Sequence, residues 1–114
     1  MLSTILLAHL VGDYFLQNRW MFSKKAPFNA PLLAHSVIYT LTIFFFLQSY
    51  AIITKNPIPN IFYFIGINFL LHFLTDGIVS NLTNIYLKRF DYGSFFVILG
   101  IDQTIHILTL VNTL

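Results

Sequence analysis

The chain has 114 residues, of which 57% are hydrophobic, 18% aromatic and only 9% charged, with a net charge of +2 and a mean hydropathy of +0.77. A soluble domain carries charge on roughly a quarter of its positions, so this composition excludes an ordinary soluble fold and points to one membrane-embedded unit. The absence of cysteine excludes disulfides, thiolate metal sites and cysteine nucleophiles, and no basic run is present that would suit nucleic acid.

Four apolar segments follow one another, and they predict an all-α integral membrane four-helix bundle with short loops, residues 1–114 forming a single domain. The first covers about 2–17. It lacks the basic n-region of a secretory signal and carries polar residues, so it reads as a retained helix that thins the bilayer locally. The second covers about 30–53, with Pro31 acceptable in a first helical turn, and "TKNPIPN" breaks the helix after it. The third covers about 61–79, the polar stretch at about 80–92 reads as amphipathic and interfacial, and the fourth segment covers about 94–112. The run "FFF" at 44–46 suits lipid or bundle packing.

Basic residues orient the bundle. Arg19, Lys24 and Lys25 lie in the first connection and Lys88 and Arg89 in the third, against Lys55 alone in the second. The positive-inside rule therefore puts the odd-numbered loops in the cytoplasm and both termini outside. Trp20, Tyr86 and Tyr92 suit the aromatic belt at the same interface, where Arg19, Lys24 and Lys25 are candidates for contact with a headgroup or substrate. The sequon "NLT" at 81–83 falls on the cytoplasmic side and carries no weight.

The ionisable residues sit where they are most expensive. All four histidines (His9, His35, His72, His106) and three of the four acids (Asp13, Asp76, Asp102) lie inside the apolar segments. A central aspartate costs on the order of 2.5–3.5 kcal/mol on insertion scales, so the three need roughly 8–10 kcal/mol of compensation. "HLVGD", "HFLTD" and "DQTIH" each space a histidine and an aspartate four apart on one helical face. Gln17 extends the first of these stripes, Asn68 the third segment's, and the second segment places Tyr39 one turn below His35. Counted at about 1.5 Å per residue from the cytoplasmic ends, Asp13 and His9 lie roughly 6–13 Å deep, His35 about 8 Å, His72 and Asp76 roughly 6–12 Å, Asp102 about 12 Å and His106 about 18 Å.

One His-x-x-x-Asp pair alone is more often an interhelical hydrogen-bonded pair than a ligand set, but three pairs and a fourth histidine in one layer reverse that balance. His9, Asp13, His35, His72, Asp76, Asp102 and His106 are thus candidate ligands for a divalent transition metal. Two ions (zinc, iron or manganese) fit this surplus of ligands better than one, with Gln17, Tyr39, Asn68 and Gln103 orienting the imidazoles.

"LLAHLVGDYFLQNRWM" with a lysine soon after, "LLAHSVIYTL", "NFLLHFLTD" and "DQTIHILTL" resemble, over nearly the whole chain, the small bacterial and phage membrane proteins grouped as domain of unknown function 3307. The resemblance implies a bacterial inner (cytoplasmic) membrane protein and no particular activity. A looser likeness, of pattern only, links such helices to inner-membrane metal-dependent hydrolases, whose longer histidine-rich motifs are missing here.

The functional expectation is metal-dependent hydrolysis of a lipid or amphipathic substrate at the cytoplasmic leaflet, with Asp13, Asp76 or Asp102 bridging the ions or acting as catalytic base. The alternatives are an ion, proton or metal permease, for which only Thr109 and Asn112 offer polar steps beyond His106, and a non-catalytic membrane subunit stapled by a structural metal. Membrane lipids are the expected partners, and oligomerisation is left open.

Overall fold

The computed structural model describes the backbone of residues 1–24 and 28–114, and the side chains of these apart from 22–24. The described residues form helices α1 (Leu2–Leu10), α2 (Arg19–Lys24), α3 (Ala30–Thr54), α4 (Ile61–Lys88) and α5 (Tyr92–Thr113), with a π-helical turn, Val11–Phe15, continuing α1. No strand occurs among them. The fold is all-helical, as expected, but it has five α-helices where four segments were drawn.

Three helices, α3, α4 and α5, are long and apolar enough to cross a membrane. At 1.5 Å per residue even α5, the shortest of them with 22 residues, is about 33 Å long, against a hydrocarbon core of about 30 Å. Asn29 starts α3 by accepting a hydrogen bond from Leu32 N at 3.2 Å, and Asp91 starts α5 by accepting from Ser94 N at 3.1 Å. Ser94 Oγ also donates to Asp91, and these two bonds hold the Asp91 carboxyl below the usual carboxylate range.

The third segment outruns its expected end at residue 79 by nine residues. No Gly or Pro interrupts 80–88, and Ser80 and Thr83 turn their hydroxyls back onto helix carbonyls, so these residues continue the helix. It ends in a Schellman motif: Asp91 N donates to Tyr86 O and Phe90 N to Leu87 O, with Phe90 in the left-handed region at φ 55°. In the expected first loop, Asn18 Oδ1 accepts from Met21 N and starts the short helix α2.

The helices close in the order α1, α3, α4, α5, with only a light contact between α5 and α1. Met1, Leu114 and the α3–α4 turn line one cavity of about 340 Å³, so both termini lie at the same end of the bundle. Beside that end sits a dry core of Ile5, Ala8, Ile43, Leu47, Ile61, Phe64 and Leu110.

The first segment departs most from expectation. A bond from Leu16 N to Val11 O, five residues back, widens the last turn, and the helix stops before Gln17. Gln17 therefore leaves the stripe of His9 and Asp13. Gly12 makes the close approach possible: a Cβ there would stand 3.2 Å from the Tyr39 ring and 3.3 Å from Tyr39 Cα. Because backbone cannot swing aside, Gly12→Leu should push this turn off α3 and displace Asp13. Differential scanning fluorimetry in detergent should show a destabilisation of about 1–3 kcal/mol, the usual cost of overpacking; a wild-type melt would mean that the contact carries no weight.

Candidate metal centre

All seven predicted ligands, His9, Asp13, His35, His72, Asp76, Asp102 and His106, are buried in one layer, none more than 6% exposed. They come from every long element: His9 from α1, Asp13 from the π-turn, His35 from α3, His72 and Asp76 from α4, and Asp102 and His106 from α5.

Six of them form two groups that could hold a metal ion, and Asp76 belongs to both. In the first group, His35 Nε2 lies 3.0 Å from Asp13 Oδ1, 3.3 Å from Asp76 Oδ2 and 3.1 Å from His72 Nε2. His72 Nε2 lies 3.6 Å from Asp76 Oδ2 and 4.0 Å from Asp13 Oδ1. In the second group, His106 Nε2 lies 3.4 Å from Asp76 Oδ1 and 3.7 Å from Asp102 Oδ1. Asp76 thus turns Oδ2 to one group and Oδ1 to the other.

The remaining oxygens are clamped. Gln103 Nε2 donates to Asp13 Oδ2 at 2.9 Å and to Asp102 Oδ2 at 3.1 Å, so one amide fixes two carboxylates from different helices. Its carbonyl accepts from His9 Nε2 at 3.0 Å, and His9 Nδ1 pairs with the Tyr39 hydroxyl at 3.2 Å. Both His9 nitrogens are engaged this way, and His9 is in neither candidate group. Tyr39 also stacks flat on the His72 ring, with centroids 3.8 Å apart. The imidazole-orienting role expected of Tyr39 and Gln103 therefore has a concrete form.

Other expected residues lie elsewhere. Asn68 is buried but donates to Phe64 O and Thr113 Oγ1, on the side of the dry core, and contacts no imidazole in these bonds. Gln17 is half-buried beyond the π-turn. Arg19 is exposed on α2, while the Lys24 side chain and Lys25 lie outside the described residues. Gly12 went unnoticed in the sequence as a positioning residue, although a lone glycine inside an apolar helical pattern is a signal of close backbone approach.

A helical chain with three membrane-length apolar helices around a buried His/Asp centre is the class that fold and site define. The chain belongs to the family described as "Protein of unknown function (DUF3307)", whose model matches residues 1–114, the whole chain. No curated protein and no solved structure matches it.

Asp76→Ala removes the carboxylate common to both groups, and His72→Ala removes one nitrogen of the first. Elemental analysis of detergent-purified protein should find a transition metal in the wild type and lose most of it in each variant. A metal-free wild type whose melting is unmoved by chelators would instead mean that the cluster is held by hydrogen bonds alone.

Proposed function

We propose that the protein is an integral membrane protein of the bacterial inner membrane that holds two divalent transition-metal ions bridged by Asp76, and that it hydrolyses a lipid or amphipathic substrate at the cytoplasmic leaflet. The observation that carries this reading is the two-sided Asp76 carboxylate, with His35 and His72 at Oδ2 and His106 at Oδ1. Bridging carboxylates of this kind hold ions about 3.5–4 Å apart in two-metal hydrolytic sites.

The donors fit such an ion. Five edges of the first group run from 3.0 to 4.0 Å. A tetrahedral zinc shell with bonds of about 2.0–2.1 Å has edges of about 3.3–3.4 Å. Imidazole with carboxylate suits zinc, iron or manganese, whereas calcium prefers oxygen alone. When bound, such a pair lowers the pKa of water and stabilises charge developing on a phosphoryl or acyl oxygen. The chain's own residues do the rest. Gln103 keeps the Asp13 and Asp102 Oδ1 atoms aimed inward, His9 and Tyr39 hold Gln103 and the His72 ring, and Asp13 is a candidate base.

Transport is supported less well. Toward the end that holds the termini, the buried side chains include Ile5, Ile43, Leu47, Phe64 and Leu110. The polar steps beyond His106 are committed to the helix, since Thr109, Thr113 and Asn112 donate to the carbonyls of His106, Thr109 and Leu108. This is poor footing for a hydrated path.

With α2 and the α4–α5 turn in the cytoplasm, five of the six basic residues face it. Reporter fusions at Ser23 and Asn56 should report opposite compartments, Ser23 inside; the reverse would move the site to the outer leaflet. For the chemistry, phosphoester or acyl-ester hydrolysis by protein in lipid should fall by about 100-fold or more in Asp13→Asn, which keeps the side-chain shape and removes its charge. Equal activity in both proteins, or none in either across a broad panel, would contradict the hydrolase reading.

A further inference from the structure

We infer that the two ligand sets are functionally unequal: Asp13, His35, His72 and Asp76 hold a resident ion, whereas Asp76, Asp102 and His106 hold an exchangeable ion whose remaining coordination position takes an oxyanion oxygen of the phosphoryl class. This inference rests on the two-ion reading above and assigns its parts.

The inequality is in the donor count. The first set has four donors from three separate stretches of chain, two imidazoles and two carboxylates, which is the full complement of a closed structural site. The second has three, and three protein ligands with one open position is the pattern of sites that bind a further ligand. Their surroundings differ in the same sense. Tyr39, fully buried, stacks on His72 in the first set, and Gly12 lets the π-turn that carries Asp13 lie against α3. In the second set, Asp102 and His106 both ride on α5, which packs closely on α4 but touches α1 only lightly. Across that seam runs Gln103, which is only half-buried and holds Asp102 Oδ2 as well as Asp13 Oδ2 of the first set.

Charge selects the ligand class. Lys88 and Arg89 end α4, and Arg19 is exposed on α2, which follows directly from the π-turn that carries Asp13. The site therefore lies beneath the basic end of the bundle, where phosphate oxygens are attracted, while the opposite end carries Lys55 as its basic side chain.

Cobalt(II) titration of metal-stripped protein in phospholipid-free detergent tests this without any assay of activity. Wild-type protein should bind two equivalents in succession, the second at least about tenfold more weakly, as expected for a set with three protein donors against four. Inorganic phosphate should then perturb the visible cobalt bands that arise with the second equivalent and leave those of the first unchanged. Asp102→Asn should bind one equivalent with the wild-type first affinity and lose the phosphate response. His106→Ala removes a different donor of the same set and must give the same result, which guards against a folding defect in either variant. A parallel titration with micelles containing a phosphomonoester lipid separates the two sources of the ligand: a response to lipid alone assigns a headgroup, and one to inorganic phosphate alone assigns a free phosphate. Two equivalents of equal affinity, loss of both in Asp102→Asn and His106→Ala, or no spectral response to either phosphate source would overturn the inequality. A wild-type limit of one equivalent or none would overturn the two-ion reading beneath it.

Discussion

A carboxylate inside an apolar helical bundle must be surrounded by groups that replace its lost hydration, and three of them within one layer set the terms for everything else in this protein. Each of the three faces two polar side chains. Asp13 faces His35 and Gln103, Asp76 faces His35 and His106, and Asp102 faces His106 and Gln103. Removing every partner of one carboxylate would strand a buried charge, so each depends on the groups that face it.

The fold supplies this arrangement by compromising its first segment. The π-turn and Gly12 bring Asp13 against α3 at the cost of regular helix geometry, which is how widened turns are commonly used at functional positions. Gln103 then joins the π-turn to α5 across the most lightly packed side of the bundle. On the side of the termini the bundle is filled by Ile43, Leu47, Phe64 and Leu110, which separates a polar layer from an apolar one.

Much of this was legible in the sequence because the signals are strong ones. Apolar length marked α3, α4 and α5, and four-residue spacing placed His72 with Asp76 and His106 with Asp102, pairs that meet at 3.6 and 3.7 Å. The spacing argument placed His9 and Asp13 in the same buried layer, but it assumes a regular α-helix through residue 17, whereas the π-turn ends the helix before Gln17. Asn68 shares its helical face with His72, but facing is not contact, and a threonine on α5 took its amide first. The stretch at about 80–92 reads in the sequence as amphipathic and interfacial, and its first nine residues continue α4, with the hydroxyls of Ser80 and Thr83 bonded back to helix carbonyls. The two-sided use of Asp76 needs three helices in register and has no local signature at all.

The centre is a polar layer with Arg19, Lys88 and Arg89 exposed toward the same end of the bundle. The central claim is that two ions share Asp76. Anomalous diffraction at the absorption edge of the bound metal, from crystals grown in lipid, tests it most directly. Two peaks about 3.5–4 Å apart, on either side of the Asp76 carboxylate, are the predicted result. A fully ordered cluster with no anomalous peak within bonding distance of Asp76 would contradict it.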